Sequence, residues 1–424
     1  MQKSQRALDN HALEFAVEQA NRLRQPLFVF FFLNPGFPEA GLRHYVFMLQ
    51  GLLETRRRLE ERGIPLILRV GDPPEELSKA AAGASLVVTD RGYLKVHREW
   101  RSRAAGMLSC PLFEIESDSI VPVETAYPKE AWSAAVLRPR ILRLLFAYLV
   151  PLETRGLKYP AAYHGDGGPD ITDSYAAALS LAADPAVPPV EDLRGGTAEG
   201  LRRLEIFVEE KLDRFDLDRN NPALQGVSVL SPYLHFGQIS PLTAALAAAE
   251  NPSPGSEGFL EELIVRRELA MNYTFYNRDY DSFSGLPVWA RKTLAAHQRD
   301  PREYVYSRED LETGRTHDRY WNAAQKELTE TGRIHGYMRM YWGKKILQWS
   351  SSPEEAFKTA LFFNNRWALD GRDPNSFAGV AWCFGKHDRP WKERDIFGTV
   401  RYMNAQGLKR KFPMEDYVHR TEEL

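Results

Sequence analysis

Four short apolar runs set the limits on how this chain folds. They are PLFVFFFL, PLILRV, LVVTD and Leu112–Glu116, and all lie before residue 118. Each has the length of a buried strand, and helix-forming stretches separate them. The first twenty-five residues read as a helix capped by Asp9 or Asn10, with Leu13, Val17 and Ala20 recurring on one face. His44–Arg62, Pro74–Ala82 and His97–Met107 read as the helices that follow. Strands alternating with helices predict a Rossmann-like parallel α/β sandwich, with ligands beyond the carboxyl ends of its strands. The chain has no GxGxxG and no GxxxxGK[ST], so the ordinary dinucleotide and P-loop readings have no support.

From Asp118 to Gly196 the pattern breaks. Proline is frequent, YHGDGGPD and ADPAVPPVEDLRGG are loop-like, and Leu137–Val150 is a short helix. After Gly196 the strand signals nearly vanish. Helices are predicted at Thr197–Lys211, Pro241–Ala249, Glu257–Asn277, Pro287–His297, His317–Glu330, Arg333–Trp349 and Pro353–Asn364. The expected organisation is α/β at 1–118, a linker at 119–196 and an all-helical domain at 197–424. A net charge of −2 requires any nucleic-acid contact to come from a local patch. Cys110 and Cys383 offer no disulfide framework and no zinc site, and no apolar run is long enough to span a membrane. The ten histidines show no HExxH or HxH spacing, so no metal is expected.

Function concentrates between Arg333 and Trp391, which hold five of the nine tryptophans among Arg, Lys, His and Asp. That mixture suits a pocket for a flat, polar-edged ring system beside a basic surface. Lys386–Lys411 carries eight Lys/Arg against three Asp/Glu, interleaved with Trp391, Phe397 and Tyr402. A charge run is usually a solvated face, but basic residues also track phosphate, and aromatics also wedge an opened duplex. Glu262 and Arg266 have the spacing of a solvated i,i+4 pair. Trp342 and Trp349 share a helical face and read as core. Asn364 reads as a C-cap, and Ser228–Ser231 as either a capped loop or an anion-holding turn.

At VSVLSPYLHFGQISP, EELIVRRELAMNYTFYN, HGYMRMYWGKKILQW, LDGRDPNSFAGVAW and RPWKERDIFGTVRYMN the chain resembles the photolyase/cryptochrome flavoproteins, and within them class II cyclobutane pyrimidine dimer photolyase. The resemblance covers nearly the whole chain. It implies a C-terminal helical domain holding FAD, and light-driven repair of ultraviolet-damaged DNA. It assigns flavin contacts to Ser228, Val229, Leu230, Ser231, Gln238, Arg339, Asn364 and Asp370, with Arg219 added just upstream. Asn364 faces flavin N5, and Met340 lies in the same pocket. Glu262 bonds the pyrimidine carbonyls, and Trp382 stacks on the flipped dimer. Trp342 and Trp321 carry electrons between flavin and surface, with Trp349 nearby. Arg389 and Trp391 enter the gap in the duplex, Arg401 contacts backbone, and Arg266, Lys409 and Arg410 extend the footprint with Lys411. The resemblance leaves room for an antenna chromophore, 8-hydroxy-deazaflavin or methenyl-tetrahydrofolate, and implies a cytoplasmic, nucleoid-associated monomer. The family carries a strand just before the DNHAL helix where this chain starts, so the first strand is expected to be missing. Alternatives are a cryptochrome, which would leave dimers unrepaired; a (6-4) photolyase, which would want pocket histidines; and a flavin-free DNA-binding protein, which would be colourless.

Overall fold

The four apolar runs become four strands: β1 (Val29–Leu33), β2 (Leu66–Val70), β3 (Val87–Asp90) and β4 (Leu112–Ile115). β1 runs parallel to β2 with Val29 opposite Leu66, and β3 runs parallel to β4 with Val87 opposite Leu112. The computed structural model describes residues 1–181 and 183–424, and among these the strands form two separate two-stranded sheets. Helices α1 (His11–Leu23), α2 (Leu42–Glu61), α3 (Pro73–Ala80) and α4 (Lys95–Met107) precede or connect them. Of the two candidate caps for α1, Asn10 serves: its side chain accepts from Leu13 N at 3.2 Å. Leu13, Val17, Phe31, Leu33, Leu49, Leu52 and Leu68 form one core.

Ahead of α1 the chain forms no strand. The amides of Gln2, Lys3 and Ser4 instead converge on the buried Asp90 carboxylate at 2.5–2.6 Å. Part of the expected linker runs along the free edge of β2, where Leu68 N donates to Gly167 O at 3.3 Å. Gly168 follows at φ +87°, and a Cβ there would meet Leu68 O at 2.0 Å, so only glycine fits.

Two compact units result: Met1–Pro122 with Arg143–Glu209 and Ser228–Pro252, and Val123–Leu142 with Glu210–Val227 and Ser253–Leu424. These bounds differ from the expected three-part division. The helix Thr197–Glu210 groups almost entirely with the α/β elements, and side-chain chemistry explains why. Gln238 Oε1 accepts from Gly196 N at 2.7 Å, its Nε2 donates to Phe47 O at 3.1 Å, and Glu54 accepts from Ala198 N at 3.0 Å.

Apart from the isolated bridge Arg394–Gly398, the second unit consists of helices and loops with no strand among its described residues. Its helices begin where short polar side chains stop the orphan amides. Asp318 accepts from Tyr320 N and Trp321 N, and Ser352 from Glu355 N ahead of Pro353. Trp321, Trp342, Trp349, Tyr341 and Phe363 fill the interior. The expected long helix Glu257–Asn277 is real but interrupted: α-helical at Ser256–Leu260, π-helical at Glu261–Arg266, and α-helical again at Arg267–Tyr276. π turns of this kind are frequent at functional sites.

Candidate active site and nucleic-acid face

The π turn redirects two charges. Glu262 and Arg266 do not pair as i,i+4 spacing predicts. Arg266 Nε reaches Glu261 at 3.0 Å, five residues back, and Arg138 meets the same carboxylate at 2.7 Å. Wider winding brings i and i+5 together, so Glu262 turns away and meets Arg219 Nη1 at 2.5 Å. Its side chain is 43% exposed, so this carboxylate stands at an accessible surface with a guanidinium beside it.

Arg339 and Asp370, thirty-one residues apart, do pair: Nη2 lies 3.2 Å from Oδ1, and both side chains are largely buried. Met340 follows Arg339 on the helix Gly336–Trp349 and is half-buried. Asn364 is not a C-cap. Its helix continues to Trp367 and is capped at Ala368. The residue is 1% exposed, and neither its Oδ1 nor its Nδ2 has a hydrogen-bond partner. A buried amide with both ends unsatisfied is costly and rare in a purely structural position. The loop carrying Asp370 comes close to it, because a Cβ on Gly371 would lie 2.8 Å from Asn364 O. An orphaned amide near a fixed ion pair fits the polar edge of a flavin, which offers both donors and acceptors.

The tryptophans are core and more than core. Trp321, Trp342 and Trp349 are at most 1% exposed. Trp321 Nε1 donates to Trp342 O at 3.0 Å, Trp342 Nε1 donates to Gln325 Oε1 at 2.8 Å, and the Trp321 and Trp349 rings lie 5.6 Å apart. Beyond Trp349 stand Tyr306 at 5.4 Å and His317 at 5.3 Å. No local pattern in the sequence marks those two residues, which are eleven apart in a loop and at a helix entrance.

Trp382, on the helix Pro374–Cys383, is 37% exposed, whereas its neighbour Cys383 is buried. Trp391 is held between two cations: Arg389 lies 5.7 Å and Arg401 4.9 Å from its ring, and its Nε1 donates to Asp388. Arg389 and Trp391 are exposed, as are Lys409 and Arg410 on the helix Ala405–Lys411. Lys409 sits over Tyr320 and Lys411 bonds the Tyr337 hydroxyl, so this helix has anchors distinct from the Trp391 loop.

The candidates Ser228, Val229, Leu230 and Ser231 belong to the first unit. Val229 has φ +57°, and Ser228 Oγ accepts from Leu230 N at 3.4 Å, which makes a strained, self-bonded turn before the short helix Ser231–His235. Gln238 spends its amide on Gly196 and Phe47, which leaves it a tie within its own unit. The first unit also has a cavity of about 730 Å³ lined by Arg56, Leu66, Tyr163 and Asp170. It opens at the amino end of β2, opposite to where parallel sheets place ligands. Among the described residues no cluster of His, Cys, Asp and Glu could hold a metal, and no helix is long and apolar enough to cross a membrane.

A DNA photolyase family model matches residues 1–156. The chain is similar to the deoxyribodipyrimidine photo-lyase of Methanothermobacter thermautotrophicus, with 52% identity over 424 residues, covering 100% of this chain and 94% of that one. The photo-lyase of Potorous tridactylus is 40% identical over 98% of this chain and 79% of its own. A class III photolyase from Agrobacterium tumefaciens shares the fold with TM-score 0.76 at 20% identity, over 99% of this chain and 85% of that one. A Synechocystis cryptochrome shares it with TM-score 0.77 at 15% identity, over 98% and 86%. At such identities the two structures speak for the fold alone.

Proposed function

The chain belongs to the DNA photolyase family, and from that premise we propose that it splits cyclobutane pyrimidine dimers in ultraviolet-damaged DNA, by class II chemistry, at a site in its second unit. FAD, when bound, supplies the light-driven one-electron chemistry. The unpartnered Asn364 amide carries the reading, with the Arg339–Asp370 pair giving the ring edge a fixed electrostatic frame.

The chain's own residues bind and orient. Enzymes that act on a base take it out of the stack, and a damaged base unstacks at lower cost. Trp391, clamped by Arg389 and Arg401, is rigid enough to occupy the vacated space. Trp382 offers an exposed face on which the extruded bases stack. Glu262, paired with Arg219, acts as an acceptor, so it takes an N–H of the base edge rather than bonding the carbonyls as the resemblance implies. Arg219, given to the flavin by the resemblance, stands beside Glu262 instead and is the donor that this surface offers to carbonyl oxygens gaining negative charge. Arg266, Lys409 and Arg410 meet phosphate.

The test is direct. Purified, FAD-loaded and chemically reduced protein is illuminated with dimer-containing DNA, and recovery of intact pyrimidines is measured. Light-dependent recovery is expected. Binding of FAD without recovery would remove the repair assignment.

A further inference from the structure

We propose that His297, with Asp300 and Glu393, is the positioning latch that holds the turn carrying Trp391 in the shape that enters DNA. The inference rests on the function proposed above in one respect, that this turn meets the damaged duplex. All the residues involved belong to the second unit.

The turn is closed but strained. Trp391 N donates to Thr399 O at 2.8 Å at its base. Nearer the tip, Arg394 and Gly398 exchange both backbone bonds, at 2.9 and 2.7 Å. Between these two, Ile396 has φ +68°, in the left-handed region that a β-branched side chain rarely adopts. Such a conformation persists only where the surroundings over-determine it. Here the surroundings are the helix Val288–Ala296 and the residues just after it. Thr293 Oγ1 accepts from Thr399 N at 2.9 Å, and Asp300 Oδ2 accepts from Ile396 N at 2.8 Å. A Cβ on Gly398 would lie 2.0 Å from Thr293 Oγ1 and 2.9 Å from His297 Cδ2, so the turn is seated directly on this helix end.

His297 couples the two sides. Its Nδ1 lies 2.6 Å from the same Asp300 oxygen that holds Ile396, and its Nε2 lies 3.0 Å from Glu393 Oε1, two residues past Trp391. Carboxylates only accept, so both contacts are hydrogen bonds only when the ring carries two N–H groups, as imidazolium. A neutral ring satisfies one carboxylate and sets a lone pair against the other. Glu393 and Asp300 accordingly hold His297 above its usual value of 6.5. The Ile396 amide and His297 hold Asp300 below its own. Of the other charges alongside, Arg302 donates to Asp300 O at 3.1 Å, and Arg394 lies over the Tyr402 ring. A raised histidine value means that the latch is complete below pH 6.5 and is lost as pH rises through the folded value. The bond then at risk is the one to Glu393, 69% exposed, which ties the Trp391 side of the turn to the helix.

Two measurements test the latch. In FAD-loaded protein without DNA, kept dark, NMR should show His297 titrating above 6.5 and the Ile396 amide protected from hydrogen exchange. Glu393→Gln, at an exposed position, should keep the fold and lower the His297 midpoint. With FAD-loaded, pre-reduced protein, KM for dimer-containing DNA should rise with pH through that midpoint, and the rise should move to lower pH in Glu393→Gln. His297→Gln should raise KM about tenfold below the midpoint, the scale of one charged hydrogen bond, and remove the pH step. Its kcat should change by less than about twofold, because the latch shapes the free protein and not the bound dimer. The salt slope of DNA binding should be the same on both sides of the midpoint. A His297 that titrates at or below 6.5, a KM step that ignores Glu393→Gln, or a wild-type KM in His297→Gln would each overturn the latch. A salt slope that changes by about one ion would make His297 a phosphate contact and overturn its positioning role as well. Failure of pre-reduced wild type to repair at any pH would instead sink the function itself.

Discussion

Truncating Asn364 should make the flavin-free protein more stable, the reverse of an ordinary core truncation. Both polar ends of this amide are buried without partners, and the residue is 1% exposed. Each unsatisfied group costs about 1–3 kcal/mol, so Asn364→Ala relieves about 2 kcal/mol at the low end. The cavity left behind, on the order of 25 Å³, takes back about 0.6 kcal/mol. The site lies in the last turn of the helix Pro353–Trp367, where alanine's better helix propensity returns a similar amount. The net expectation is a gain of about 2 kcal/mol without flavin. With flavin the gain shrinks, because the lost hydrogen bond weakens FAD binding by about 0.5–1.5 kcal/mol, up to roughly tenfold in Kd. The assay is urea unfolding of both proteins with and without FAD, beside a fluorescence titration of the cofactor. A flavin-free variant less stable than its parent would show that the amide already has partners, and the argument for the flavin site would lose its support.

Four further outcomes follow from the geometry. Arg219→Gln should lower stability by less than about 1 kcal/mol, since the pair with Glu262 is partly exposed, yet slow repair while FAD is retained; a large stability loss in thermal melts would make the pair structural. Trp342→Phe should abolish photoreduction of oxidised flavin and spare repair by pre-reduced protein, with unchanged photoreduction ruling out the path. Arg389→Ala should weaken DNA binding and reduce the salt slope by about one ion, and an unaltered slope in binding titrations would remove it from the contact set. Burial pushes His97 and His387 down to about 3 and His335 to about 4. These bases stay neutral in the folded protein while the unfolded chain takes up protons, so stability is full above pH 6.5 and falls with acid. Each should cost about 2 kcal/mol between pH 6.5 and 5, and urea midpoints flat over that window would contradict the burial.

What the sequence made legible was local. The strands were visible as apolar runs, and a cap at Asp9 or Asn10 was visible because capping depends on neighbours within three residues. What stayed hidden was long-range or a matter of winding. Gln238 is 42 residues from Gly196 and 191 from Phe47, so nothing nearby reveals that it joins Thr197–Glu210 to the first unit. Arg219 and Glu262 are 43 residues apart, and their pairing depends on a π turn whose residues look α-helical. The bare sequence also lets Asn364 read as a cap, because a polar residue near a helix end looks the same whether it stops the helix or sits inside it.

The six residues Glu261–Arg266 act as a phase adjuster in an otherwise regular rod. In an α-helix each residue advances the winding by about 100°. Deleting one residue within this segment would let the ordinary pitch return, and because a π turn takes up one extra residue over nearly the same total rotation, Arg267–Tyr276 would keep its facing. Glu268 and Asn272 would stay buried, while Arg266 would lose its reach to Glu261 and the carboxylate at 262 would face a different azimuth. The aim of that acid is thus stored in one surplus residue of backbone, which a substitution scan by side chain would never detect.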